Sequence, residues 1–189
     1  MSNTSATGGY LTPTGESIRQ EDFEDALQAM VVGITGLPGD LVRPRHQPKP
    51  PNSPGPDTDW CAIGIKDTLG GATAVTHQGR DEGRTVVTST DSLEVLVTFH
   101  GPGARGLAAM LRDGLRLGQN RAESRKAGIT VGGIGEPRNA PELINGAWAA
   151  RVDLPLNIQW ETRRTYGVRN LVGLAGSLVT DTGRTRNIK

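Results

Sequence analysis

Three glycines raise the first chemical question. In SLEVLVTFHGPGARGLAAMLRDGL, residues 92–115, a strand-like run leads into Gly101, Gly103 and Gly106, spaced G-x-G-x-x-G, and a helix-like run follows. That order is the dinucleotide-binding fingerprint, in which backbone amides at a helix N-terminus hold a pyrophosphate. The surroundings argue against it. A strand feeding such a site is parallel, covered on both faces and almost continuously apolar. Here Leu93, Val95, Val97 and Phe99 alternate with Ser92, Glu94, Thr98 and His100. The acidic residue wanted about twenty positions on has Glu123 as its nearest candidate, in a polar stretch ahead of any strand.

Other chemistry is equally thin. GITGLPGD at 33–40 lacks the Lys-Ser or Lys-Thr of a phosphate loop. His46, His77 and His100 show no metal-ligand spacing, and each reads as structural or surface. Cys61, the single cysteine, excludes an internal disulfide and reads as a small buried residue, since no positive neighbour or nearby His is visible to activate it. Asp153 is a carboxylate with no visible partner. No enzyme, cofactor or metal is expected.

Composition narrows the class. The 189 residues include 26 glycines and 12 prolines, about a fifth of the chain, below the ~25–30% of low-complexity sequence but high for a helical protein. No apolar run approaches the ~20 residues of a membrane span, and the first residues lack a signal peptide's basic and apolar regions, so a soluble protein is expected. A net charge of +1 hides an asymmetry: Glu16, Glu21, Asp22, Glu24, Asp25 and Asp40 face only Arg19 within residues 1–40, and the rest is basic. Arg105, Arg112, Arg116, Arg121, Arg125 and Lys126 form the densest basic set. They suit a solvated face, a subunit contact or duplex DNA, whereas single-strand binding would want interleaved aromatics.

The elements that must position these residues follow from periodicity. Residues 1–16 read as an extended arm. Phe23, Ala26, Leu27, Met30 and Val31 recur at helical spacing. The segment 41–58 holds six prolines between Pro44 and Pro56 and predicts an extended excursion that cannot sit inside a sheet, suited to lying on a neighbouring subunit. WCAIGIKD, GATAVTHQ, RTVVTS and SLEVLVTFH predict short antiparallel strands. Leu107, Ala108, Met110, Leu111 and Leu115 predict a second helix, with Arg105, Arg112 and Arg116 on its opposite face. Residues 148–160 predict a long strand with Trp148, Val152, Leu154, Leu156, Ile158 and Trp160 on one buried parity. Residues 181–189 read as a basic tail. The fold class is α+β: a mostly antiparallel sheet with two amphipathic helices packed on it, in one domain over 17–180.

GITGLPGDLVRPR, WCAIGI, TFHGPGARGLAAMLRDGLRLGQNR and PELINGAWAARVDLPLNIQW with RRTYGV after it together resemble the tailed-bacteriophage neck or tail terminator family over roughly residues 30–170. The sequence departs from that pattern at His100, where the family tends to carry an aromatic before Gly-Pro. The resemblance implies a structural virion protein of the tail or neck, put together in the host cytoplasm. It would form a six-membered ring that terminates the tail tube and joins the tail to the head-side connector or adaptor. Its partners would be copies of itself, the tube protein, a sheath protein where the tail has one, and DNA only in passage; no membrane is implied. On this reading Gly101, Pro102 and Gly103 turn the chain from strand to helix, and Gly106 lets the helix lie close to the sheet. The ring contact is expected to set Glu21, Glu24 and Asp25 of the first helix against Arg105, Arg112 and Arg116 of the second, with Leu41, Val42, Arg43 and Arg45 of the proline-rich segment on a neighbour. The alternative is a nucleic-acid-binding module using the same arginine face.

Overall fold

The computed structural model describes residues 8–14, 20–47, 52–78, 83–144, 146–168, 176–179 and 185–188. Helix α1 (Gln20–Thr35) carries Glu21 and Asp22 in its first turn, where the helix dipole favours acids. A 3-10 turn (Gly39–Leu41) leads into β1 (Val42–Pro44), and β2 (Trp60–Gln78), β3 (Arg84–His100), α2 (Ala104–Gly114), α3 (Gly118–Lys126) and β4 (Ile129–Ile134) follow. The two-residue β5 (Arg138–Asn139) precedes β6 (Glu142–Ile144), β7 (Ala147–Ala149), β8 (Arg151–Gly167), β9 (Gly176–Val179) and β10 (Thr185–Ile188). The main sheet runs β1-β2-β3-β8-β4 with β5 also on β8. It is mixed and mostly antiparallel, so the class is α+β as expected.

Cα packing divides the chain into two compact units. The smaller gathers Met1–Ser17, Thr73–Thr88 and Arg163–Lys189. Within it Thr14 bridges Thr165, its amide donating to the Thr165 carbonyl at 2.7 Å. Residues 185–188, expected within a basic tail, instead pair antiparallel with Gly176–Val179. The larger unit, Ile18–Ala72 and Ser89–Thr162, holds the helices and the core.

In that larger unit the sheet has two distinct faces. Leu93, Val95, Val97 and Phe99 of β3 and Val152, Leu154, Leu156 and Ile158 of β8 are buried against the helices, as their alternation requires. Phe23, Leu27 and Val31 of α1 and Ala104, Ala108, Leu111 and Leu115 of α2 and its end close the core. Phe23 meets Trp160 edge-on at 4.9 Å. Met110, expected on the buried face, is 50% exposed, because the contact stripe runs 104, 108, 111, 115 and Met110 lies off it. A third helix, α3, forms in the polar stretch around Glu123; its only buried residue is Ser124, so no apolar periodicity announced it.

Part of the proline-rich segment also belongs to the sheet. Val42–Pro44 pair in parallel with Cys61–Ile63, and β1 ends the strand order, an edge that tolerates proline. Val42 is fully buried in the core, so its side chain cannot make the neighbour contact expected of it. Residues 48–51 lie outside the described residues.

The turn between β3 and α2 sets the helix layer. Gly101 has φ +100° and donates its amide to the Ala150 carbonyl at 3.2 Å. A Cβ at Gly101 would sit 2.6 Å from the Thr58 carbonyl and 2.8 Å from the Asp59 Cα, and one at Gly103 would strike the Asp59 carboxylate. Gly106 does not bring the helix close to the sheet: it is exposed, and a Cβ there meets nothing within 4 Å. The tight approach falls at Gly114, where a Cβ would run into Ile34 of α1.

These environments predict opposite effects of one substitution. Gly101→Ala is expected to lower unfolding free energy by at least about 2 kcal/mol, through positive-φ strain and a clash. Gly106→Ala is expected to be neutral or to raise stability by up to ~1 kcal/mol, since alanine is the better helix former. Urea titrations followed by circular dichroism distinguish the two; equal effects would refute this account of the turn.

Candidate assembly surface

The anion position at the α2 N-terminus is filled from within the chain. The Gly103 amide, where a nucleotide phosphate would be held, donates to Asp59 Oδ1 at 2.7 Å. The strand feeding it belongs to a mostly antiparallel sheet, and the chain next pairs β4 antiparallel with β8. Spacing and surroundings therefore describe a self-capped helix.

The second face of the sheet carries a hydrogen-bonded chain of charges. Arg45, just past β1, donates to the Thr98 hydroxyl of β3, which donates to Asp153 Oδ1 of β8 at 2.8 Å. Arg151 grips the same carboxylate through Nε and an Nη, both at 3.0 Å, and its other Nη donates to Glu142 of β6. Arg45 Nε is the one buried side-chain nitrogen or oxygen of the described residues without a hydrogen-bond partner. Burial raises the Asp153 pKa, but hydrogen bonds from Arg151 and Thr98 outweigh it and leave the carboxyl below its usual value. Asp153, which had no visible partner in the sequence, is thus an ion-pair centre.

Beside this chain His100 stacks on Trp60, centroids 4.1 Å apart and planes 6° from parallel, so a histidine does the packing that an aromatic would. A cleft of about 420 Å³ lies over the pair, lined also by Pro54, Pro56, Glu142 and Ile144. Burial lowers the His100 pKa, with Arg151 and Arg45 adding to the effect and Glu142 and Asp153 opposing it. His46 is exposed, and the side chain of His77 lies outside the described residues. Cys61 is fully buried, which pushes its thiol pKa far up, as suits a packing residue.

The expected assembly residues are scattered over several elements. Glu21 and Asp25 are exposed on α1, and Glu24 is half-buried. Arg105 and Arg116 are exposed and make no ion pair among the described residues. Arg112 is engaged within the chain, with Asp113 and Glu136 both at 3.0 Å. Arg43 donates to the Asp40 carbonyl at 2.7 Å and the Asn52 carbonyl at 3.1 Å, fastening the start of the loop. Leu41 is half-buried.

One surface feature escaped the periodicity. Strands β6 and β7 pair antiparallel as a hairpin with Leu143 opposite Trp148. These two are 62% and 73% exposed, although Trp148 was expected on the buried parity of the long strand. That strand begins only at Arg151. The overlooked signal is Asn145-Gly146, the two-residue connection that favours a tight hairpin turn, with Gly146 at φ +82°.

The titrating groups give a pH prediction. A histidine whose folded pKa is lowered contributes stability that is complete above about 6.5 and declines as pH falls through the folded value. Replacing it, His100→Phe, should keep the stack and flatten the loss of melting temperature between pH 7 and 5. Asp153 acts lower: its contribution is complete above about pH 4 and is lost on further acidification, so Asp153→Asn should shrink only that loss. Thermal melts across pH test both, and a wild-type profile unchanged by His100→Phe would overturn the first.

The model of the phage neck terminator proteins matches residues 21–182, a span that takes in the helices, the main sheet and the hairpin. No curated protein matches the chain. With the match covering most of its length, the chain belongs to the phage neck terminator protein family.

Proposed function

We propose that this neck protein assembles into a closed ring, six copies around, which terminates the tail tube and joins the tail to the head-side connector. The role is structural, without catalysis or cofactor. The tube protein and a connector or adaptor protein are its axial partners, with a sheath protein beside it where the tail has one. DNA passes through without being held, and assembly takes place in the host cytoplasm. The observation that carries this reading is the family match over residues 21–182. It is supported by separated exposed charges of opposite sign, Glu21 and Asp25 on α1 and Arg105 and Arg116 on α2 and its end. Contacts of this kind bring copies together quickly and fix their register more than they add affinity. Among the described residues no helix is long and apolar enough to cross a membrane.

Native mass spectrometry of the purified protein at moderate salt is expected to give six copies. Reversing both free arginines, Arg105→Glu with Arg116→Glu, should raise the concentration needed for assembly about tenfold, while circular dichroism stays unchanged. Arg112→Glu would also break the chain's own pairs with Asp113 and Glu136, so it is the less clean probe. A ring indifferent to the double reversal would refute the charge contact. Tight, salt-dependent binding of duplex DNA by the isolated protein would favour the nucleic-acid reading instead.

A further inference from the structure

We infer that the β6–β7 hairpin of one copy seats its Leu143–Trp148 pair in the groove between α1 and α3 of the next copy, an inference that rests on the ring reading. The hairpin is built to present that pair. Side chains alternate along β6, so Glu142 and Ile144 turn to the cleft over Trp60 and His100, while Leu143 turns the other way with its cross-strand partner Trp148. A two-stranded hairpin is marginal in isolation, but this one is fastened at its base by the Arg151 to Glu142 ion pair and through Arg151 to Asp153. An exposed apolar pair on a fixed support suits an interface anchor, and tryptophan is the residue type most enriched among such anchors.

The receiving feature lies elsewhere on the same unit. Ala26, Ala29, Gly33 and Ile34 of α1 face Ser124 and Ala127 at the end of α3 across a groove of about 330 Å³. That is at the bottom of the size range of small-molecule sites, room for one large aromatic side chain. A buried indole needs an acceptor for its N–H, and Glu123 stands on the groove's wall.

Charge complementarity selects a second copy as the occupant. Asp22 and Asp25, both exposed, continue the α1 wall toward its N-terminus. Exposed Arg138 sits on β5, four residues before the hairpin, and Arg105 and Arg112 line a shared pocket with Glu136, Pro137 and Asn139 of the same approach. Arg105 and Arg138 therefore accompany the knob, and Asp22 and Asp25 the α1 wall of the groove, while on the α3 wall Lys126 is paired with Glu123. Because knob and groove are different patches, the contact is head-to-tail, the kind that closes into rings.

Two variants test the inference together. Trp148→Ser removes the knob and leaves the groove; Ala29→Phe fills the groove and leaves the knob. Both positions are exposed, so melting temperatures within about 2 °C of wild type are expected. Each variant alone should be monomeric by native mass spectrometry where wild type forms rings. Mixed in equal amounts they should form a heterodimer and grow no further, since only one competent interface remains. Should either variant misfold, the cysteine pair Leu143→Cys with Ala29→Cys, which keeps Trp148, gives a second readout: mild oxidation should link chains into ladders up to the ring, whereas Leu143→Cys alone should give dimers at most. Rings from Trp148→Ser or Ala29→Phe, or no ladder from the cysteine pair, would overturn the inference and leave the ring reading standing. A wild-type protein that forms no ring would overturn both.

Discussion

The position of the helix layer depends on Asp59. Its carboxylate caps the free amide of Gly103 at the start of α2, and the chain carrying it passes so close to the turn that neither Gly101 nor Gly103 has room for a side chain. From that point α2 runs back over the sheet, burying Ala104, Ala108, Leu111 and Leu115 against β3 and β8, and Gly114 admits Ile34 of α1. The similarity to a nucleotide-binding turn thus has a physical origin. Both arrangements bring an anion to helix N-terminal amides and need glycine where backbone comes near. The difference is that here the anion belongs to the protein.

Signals that depend on one helix face or one strand parity were legible in the sequence. The apolar stripe of α1, the alternation of 93–99 and that of 152–158 all hold, because each is enforced by burial against the same core. What failed was punctuation. WCAIGIKD and GATAVTHQ read as two separate strands, yet β2 is continuous from Trp60 to Gln78. A Cβ on Gly71 would lie 2.7 Å from Asp91 Oδ1 and 3.0 Å from the Thr90 carbonyl, so the glycine marks a close approach of β3 to β2. The opposite error occurred at Trp148, which belongs to the separate strand β7 but was read into the long strand because its parity happened to match. Of the assembly residues, charge and exposure on α1 and α2 were readable, but burial of Val42 was not, since it arises from a three-residue parallel pairing with β2.

The two faces of the sheet do different work. The helix face supplies apolar burial, and the other face carries the chain from Arg45 through Thr98 and Asp153 to Arg151 and Glu142. Such a network adds little net stability, because desolvating its charges costs about what their pairing returns. Its structural effect is specificity of position: it joins the residue after β1, two central strands and the base of the hairpin into one hydrogen-bonded set. The partnerless Arg45 Nε is the cost of that arrangement.

That fixed hairpin bears on how an assembly of this chain would end. An exposed ion pair contributes about 0–1 kcal/mol, and a lone Leu–Trp pair covers only part of the roughly 800 Å² per partner that stable interfaces bury. A dimer held by one such contact would be weak. In a closed ring the last copy meets two neighbours at once, and the second contact forms at a high effective concentration. Closure also requires each step to turn by the same angle, since a head-to-tail contact that misses the angle grows into an open filament. The angle is set by how rigidly the hairpin stands on β8. In the proposed ring, the Arg151–Glu142 pair therefore acts on closure more than on affinity, by holding the hairpin in one orientation.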